Sequence, residues 1–274
     1  MKERVVLVTG ASRGIGRAIA EKFAQRGDRV FGTARQPESI KWVPGTLLPL
    51  DVQDETSVAQ CVETLLSQAG KIDILVNNAG ITVYGAIEEL SLTQVKAVFE
   101  TNFFGVVRMT QAVLPAMRRQ AAGRIVNIGS VAGFVPMPFQ AAYAATKHAL
   151  AGWTETLDLE VRSFGIRAVL IQPGFFRTDI DRHSSAGSLL KGVYEGERIR
   201  VVEKVRLSVE NGDDPVKVAK AVVHAATKKD PSGMVLVGRG ARQARVFRTL
   251  LPRAVFELGL RRQLGLADPA KSAH

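Results

Sequence analysis

Two patterns alternate along the chain. Short, largely apolar runs, many of them rich in β-branched residues, occupy positions 5–8, 29–33, 47–50, 72–76, 124–128, 166–171 and 234–237. Between them, at 14–26, 55–68, 93–119, 140–162 and 215–227, apolar side chains recur every three or four positions. Largely apolar runs suit strands covered on both faces, and the wider spacing suits helices with one buried stripe. Strands joined by helical crossovers predict a three-layer α/β/α fold, a doubly wound parallel sheet with right-handed connections.

Two segments depart from the alternation. Positions 181–214 begin polar and glycine-bearing and continue through Leu189, Leu190, Val193 and Tyr194, which predicts a helical flap beyond the carboxyl end of a strand. Such a flap suits a lid, and an ordinary surface excursion is the competing reading. Past Gly240 a helical pattern runs to about residue 265 and ends in a polar tail.

Composition narrows the classes. A chain of 274 residues with 46% apolar content can fill one large α/β domain. The single Cys61 excludes an intrachain disulfide framework and a cysteine-built metal site, and is expected to be a small core residue. No apolar stretch is long enough to span a bilayer, and Met1 to Arg4 lead straight into a strand, so a cytoplasmic protein is expected. Of the net charge of +11, about half lies in the last segment, where seven arginines and Lys271 face Glu257 and Asp268. No nucleic-acid partner is expected. In the extension, 241–274, Val246, Phe247, Leu250, Leu251, Val255, Phe256 and Leu260 are spaced among the arginines. The favoured reading packs that apolar face on the chain's own domain. The other places it at an anionic membrane surface or on a partner.

After the first strand stands Thr9-Gly10-Ala11-Ser12-Arg13-Gly14-Ile15-Gly16, with a helical pattern starting at the last two glycines. Absent side chains let backbone approach a pyrophosphate, and the helix amino terminus offers unpaired N–H groups, so this turn points to a Rossmann-type dinucleotide site. The second strand leads to Arg35, where an NAD site would carry an acidic residue for the ribose hydroxyls. A guanidinium there suits a 2′-phosphate, Arg13 can add a second contact, and NADP(H) is the expected cofactor. Either arginine could instead be a solvated surface charge.

Tyr143 and Lys147 are four residues apart within one predicted helix, and Ser130 ends the apolar run upstream. That spacing puts phenol and ammonium on one face, and a nearby positive charge moves a phenol towards ionisation.

Taken with Asp51-Val52, Asn77-Asn78-Ala79-Gly80, Asn102, Pro173-Gly174 and Thr178, these motifs resemble the classical short-chain dehydrogenase/reductase family over residues 4 to 238. The resemblance implies that Asp51 binds the adenine amino group, although it could also cap a helix. Gly10, Ser12, Arg13, Gly14, Ile15, Gly16, Arg35, Val52, Asn78, Ala79, Gly80, Pro173, Gly174 and Thr178 would complete the cofactor site, and Asn102 would hold a water linked to Lys147. Ser130 would bind the substrate carbonyl, Tyr143 would act as general acid/base, and Lys147 would also hold the nicotinamide ribose. Residues 1–240 would then form the catalytic domain, carrying the flap at 181–214. The basic extension resembles the retinol and hydroxysteroid dehydrogenase branch more than the ketoacyl reductases.

Phe134, Met137, Phe139, Phe175, Phe176, Leu189, Val193 and Tyr194 are candidates to line an apolar substrate pocket, though aromatic residues so spaced are often core. His183 is either a polar substrate contact or a solvated loop residue. The expected activity is NADP(H)-dependent interconversion of a carbonyl and an alcohol on an apolar small molecule. The alternatives are a 3-ketoacyl reductase-type enzyme and a protein that senses NADP(H) without turnover. A homodimer or homotetramer is implied, pairing through the helices at 93–119 and 140–162.

Overall fold

The computed structural model describes residues 3–42, 44–178, 185–186 and 192–266. The strands are β1 (Val5–Val8), β2 (Arg29–Ala34), β3 (Thr46–Pro49), β4 (Ile74–Asn77), β5 (Val83–Tyr84), β6 (Gly123–Ile128), β7 (Ile166–Pro173), β8 (Ser185–Ala186) and β9 (Met234–Val237). Seven of them form one parallel sheet in the order β3-β2-β1-β4-β6-β7-β9. The order reverses between β1 and β4, and the carboxyl ends of strands flanking such a reversal open a crevice for ligands. The short β5 and β8 pair separately, Val83 opposite Ser185.

Alternation along β1 explains the two layers of core. Val5 and Leu7 face one side with Val58, Val62 and Leu65 of α2 (Glu55–Ala69). Val6 and Val8 face the other, with Ile19 and Phe23 of α1 (Gly14–Ala24). The α2 side is completed by α3 (Leu92–Phe99), α4 (Gly105–Arg119) and α5 (Ala141–Val161), and the α1 side by α7 (Val216–Thr227). Strands covered on both faces need no polar alternation, which is why most of their positions are apolar. Cys61 sits in the α2 side of the core, and burial pushes its thiol up to about 11, as suits a packing residue.

The expected helix at 93–119 is two helices. A π-helical turn, Glu100–Phe104, separates α3 from α4, and Asn102 lies in it. An extra residue in the backbone hydrogen-bond ladder leaves the apolar spacing on either side intact.

The extension also differs from expectation. It forms α8 (Ala241–Leu250) and α9 (Arg253–Leu264), broken at Pro252; α8 packs beside β9 and α9 beside α6 (Glu195–Glu210). Phe256, Leu260 and Leu264 join an apolar cluster with Val201 and Val205 of α6. Val246, Phe247, Leu250, Leu251, Val255 and Leu258 stay exposed, so most of the apolar face does not pack on the domain. The small Ala241 and Ala244 take the inward positions of α8 instead.

The end of α5 is stapled to β7. The buried Asp158 carboxylate accepts from Arg167 Nε at 2.8 Å, Arg162 Nη2 at 2.6 Å and the Ala168 amide at 2.8 Å. Burial alone would raise its pKa, but those donors together hold it below the ordinary carboxylate range. A carboxyl lowered on folding contributes stability above its unfolded pKa, and that contribution disappears as pH falls through the folded value. Asp158→Asn therefore lowers unfolding stability by about 3 kcal/mol at neutral pH. In urea titrations the gap between wild type and variant narrows as pH drops below the carboxylate range.

Candidate active site

Three elements meet where the sheet order reverses. The turn after β1 carries Gly10, whose φ of 62° is left-handed. A Cβ there would lie 2.9 Å from Ala79 Cα, and one on Gly16 would lie 2.4 Å from both the Gly10 carbonyl and Asn78 Nδ2. Only glycine permits so close an approach of turn, helix and β4. Asn78 Nδ2 donates to the carbonyls of Thr9 and Gly10 at 2.9 and 3.0 Å, and the amides of Asn78 and Ala79 donate to Thr9 Oγ1 at 3.0 Å. These bonds fix the path of the turn. No side chain caps the amino terminus of α1, and its cap residue Arg13 is exposed. A glycine cradle opening on an uncapped helix start fits a dinucleotide pyrophosphate.

Ser12 is half-buried in this turn, and Ile15 lines the cleft described below. Arg35 follows β2 and is exposed, as the expected phosphate contact requires. Asp51 accepts from the Gln53 amide at 3.0 Å, whereas Asp54 caps α2 through the Thr56 amide at 2.8 Å. The helix-cap reading of Asp51 is thereby replaced. Val52 is buried against Gly105, where a Cβ would come within 2.8 Å of its Cγ2.

A cleft of about 140 Å³ opens beside the turn, and Ile15, Asn78, Gly80, Ser130, Tyr143, Lys147, Pro173, Gly174 and Thr178 all line it. Ser130 ends the loop after β6, and its Oγ accepts from the Ala132 amide at 3.1 Å. Its own proton is left to donate elsewhere. Tyr143 and Lys147 lie one turn apart on α5, with the ammonium 5.5 Å from the centre of the phenol ring. Lys147 is buried and donates to the Ile128 carbonyl at 2.9 Å, two residues before Ser130. Burial pushes its amine down to about 8 from 10.5. Asn102 accepts from the Ile81 amide at 2.8 Å and donates to the Ile81 carbonyl at 2.9 Å and Thr146 Oγ1 at 3.3 Å, tying the π turn to α5.

The substrate-side candidates divide. Met137, Phe175 and Phe176 line the cleft, although Phe176 is 3% exposed and also packs in the core on the α1 side. Phe134 is buried beneath Arg245, 5.2 Å from its guanidinium, and does not line the cleft. Phe139 and Tyr194 lie outside its lining too, edge to face at 6.4 Å, with Phe139 held at a φ of 62°. Val193 is 91% exposed, which removes it as a wall. Leu189, Leu190 and His183 lie outside the described residues. Among the wall residues the sequence reading missed are Val205 and Val209 of α6. With Val201 they form an i, i+4, i+8 stripe that was visible as a helical face. Gln140 and Thr82, bonded to one another at 3.4 Å, gave no such signal.

The amino end of α6 is anchored over this region. Arg198 pairs with Glu89 with both side chains largely buried, and the Tyr194 phenol is held by Glu88, whose charge raises its pKa. A larger hollow of about 520 Å³ lies between α7, β9 and α8, but neither Tyr143 nor Lys147 lines it. Among the described residues no group of side chains could hold a metal ion, and no helix is long and apolar enough to cross a membrane.

The short chain dehydrogenase family model matches residues 4–188. The chain is 37% identical over 241 residues to a 3-ketodihydrosphingosine reductase of Bacteroides thetaiotaomicron, covering 87% of this chain and 89% of that protein. A short-chain dehydrogenase from Streptomyces avermitilis superposes with a TM-score of 0.82 at 33% identity, covering 97% of this chain and all of the other. A 3-ketoacyl-(acyl-carrier-protein) reductase from Brucella melitensis, complexed with NADH, gives 0.72 at 27% identity, with 85% and 95% covered. The chain belongs to the short-chain dehydrogenase family and is an oxidoreductase of that family.

A lysine amine lowered on folding binds fewer protons than in the unfolded chain between about 8 and 10.5, so its contribution makes stability rise with pH across that window. NMR titration of lysine-labelled protein is expected to show one amine, absent in Lys147→Met, with its midpoint near 8. A midpoint at the ordinary lysine value would mean that the ammonium is solvated.

Proposed function

We propose that this short-chain dehydrogenase reduces the carbonyl of an apolar small molecule with NADPH as hydride donor, Tyr143 serving as the acid. The observation that best supports the reading is the convergence of Ser130, Tyr143 and a buried Lys147 on a cleft continuous with the glycine turn. When bound, the nicotinamide supplies the hydride.

The protein's part is charge stabilisation and proton delivery. Ser130, its oxygen already engaged by the Ala132 amide, donates to the carbonyl oxygen. Tyr143 makes the second donation and releases its proton as negative charge grows on that oxygen. The adjacent Lys147 ammonium favours the resulting phenolate, and its remaining N–H groups are suited to ribose hydroxyls. Asn102, through Ile81 and Thr146, keeps the π turn against α5 and so holds that helix in place. Run backwards, the same groups oxidise an alcohol. Val131, Met137, Phe175, Val205 and Val209 give the cleft its apolar wall.

Arg35 and Arg13 support NADP(H) over NAD(H), each as a partner for the 2′-phosphate. The names of two similar proteins, a 3-ketodihydrosphingosine reductase and a 3-ketoacyl reductase, each specify a 3-keto compound, which favours a ketone as substrate here too. Oligomerisation through α4 and α5 would cover Phe104 and Leu159, both exposed in the single chain.

A panel of ketones and aldehydes followed by NADPH absorbance tests the reading, with NADH run in parallel. Tyr143→Phe is expected to lower kcat by about 10²–10⁴-fold while NADPH binding persists. Turnover near the wild-type rate would remove Tyr143 from the proposed role. Arg35→Ala is expected to raise KM for NADPH about tenfold or more and leave that for NADH unchanged. Equal use of both cofactors by the wild type would overturn the assignment of Arg35.

A further inference from the structure

The C-terminal helix pair is amphipathic in an unusual sense. At 100° per residue, Val246 and Leu250 fall on the side of α8 opposite Ala241 and Ala244, which face the domain, and Phe247 lies at the edge of that side, a quarter turn from the alanines. On α9, Val255, Leu258 and Arg262 lie opposite Phe256, Leu260 and Leu264. Both helices therefore bury one apolar face and show water another. Phe247 is 52% exposed and Leu250 75%. Side chains of this size exposed together mark a surface that something covers.

Charge identifies the occupant. Residues 239–266 contain seven arginines and one glutamate. Arg242 flanks Val246 on α8, both at the rim of the hollow beside α7 and β9, Arg262 lies beside Leu258 on α9, and Arg253, though paired with Glu257, is itself 82% exposed. A protein interior excludes such density of like charge, whereas a surface of anionic headgroups over acyl chains satisfies arginine and apolar side chain at once. The buried faces of the same helices reach the substrate side. Arg245 covers Phe134, and Lys204 of α6 donates to the Gln263 carbonyl at 3.1 Å, on the helix whose Val205 and Val209 line the cleft.

We propose that the outward face of α8 and α9 docks on an anionic lipid bilayer, holding the cleft at the membrane surface. The docking extends the proposed function without depending on it.

Co-sedimentation of the full chain with vesicles tests the proposal. The expected result is binding to phosphatidylcholine–phosphatidylglycerol vesicles, none to phosphatidylcholine alone, and loss of binding as salt is raised. Arg242→Gln with Arg262→Gln weakens binding more than about tenfold, since each basic residue near such a surface contributes roughly fivefold. Phe247→Asp with Leu250→Asp abolishes it. Both variants keep the wild-type circular dichroism and rate on a soluble carbonyl. Absence of binding to the anionic vesicles overturns the proposal, as does undiminished binding by both variants. So does light scattering in which Phe247→Asp with Leu250→Asp splits an oligomer while no vesicle binding occurs, because a second copy then covers the face. A wild type that binds vesicles as expected but reduces no carbonyl leaves the docking intact and removes the proposed function.

Discussion

The arrangement of the cleft depends on one buried contact. Lys147 is an ammonium held out of water against a single carbonyl, that of Ile128 at the end of β6. Such a group is costly to bury unless its donors are satisfied. The contact anchors α5 to the end of β6, with Ser130 two residues further on, so that the phenol, the hydroxyl and the amine converge. At the far end of α5 the Asp158 cluster fixes the same helix to β7. A helix tied at both ends can hold a donor to the tolerance that proton transfer needs.

Close backbone approach does for the cofactor side what ion pairing does for α5. Thr9 and Asn78 exchange hydrogen bonds across the reversal in strand order, and Gly10 and Gly16 remove the side chains that would prop the strands apart. The polar chain from Asn77 through Asn127 to Thr154 then connects β4, β6 and α5 behind the cleft, with bonds of 2.9 Å. Buried polar links of this kind specify one arrangement of elements more than they add stability.

Much of this was legible in the residue pattern because its causes are local. β1 and β9 have the bounds their apolar runs predicted, and α1 starts at the glycine expected of it. The cofactor-turn residues and the Ser130, Tyr143 and Lys147 set were readable as motifs and come together in space. What escaped was set by choices a periodic pattern does not encode. The π turn at Glu100–Phe104 changes backbone bonding without disturbing side-chain spacing. Phe134 and Phe176 carry the same apolar signal whether they line a cavity or fill a core. The extension was readable as amphipathic, but a helix with apolar residues on two sides does not announce which one its own domain will take.

The anchoring of α6 has a kinetic consequence. Arg198 and Glu89 are 13% and 8% exposed, so swinging the amino end of α6 away from the loop would require two charges to separate and rehydrate together. Screening by salt acts weakly on so sheltered a pair. Any opening of the amino end of α6 would then be insensitive to ionic strength and steeply dependent on temperature.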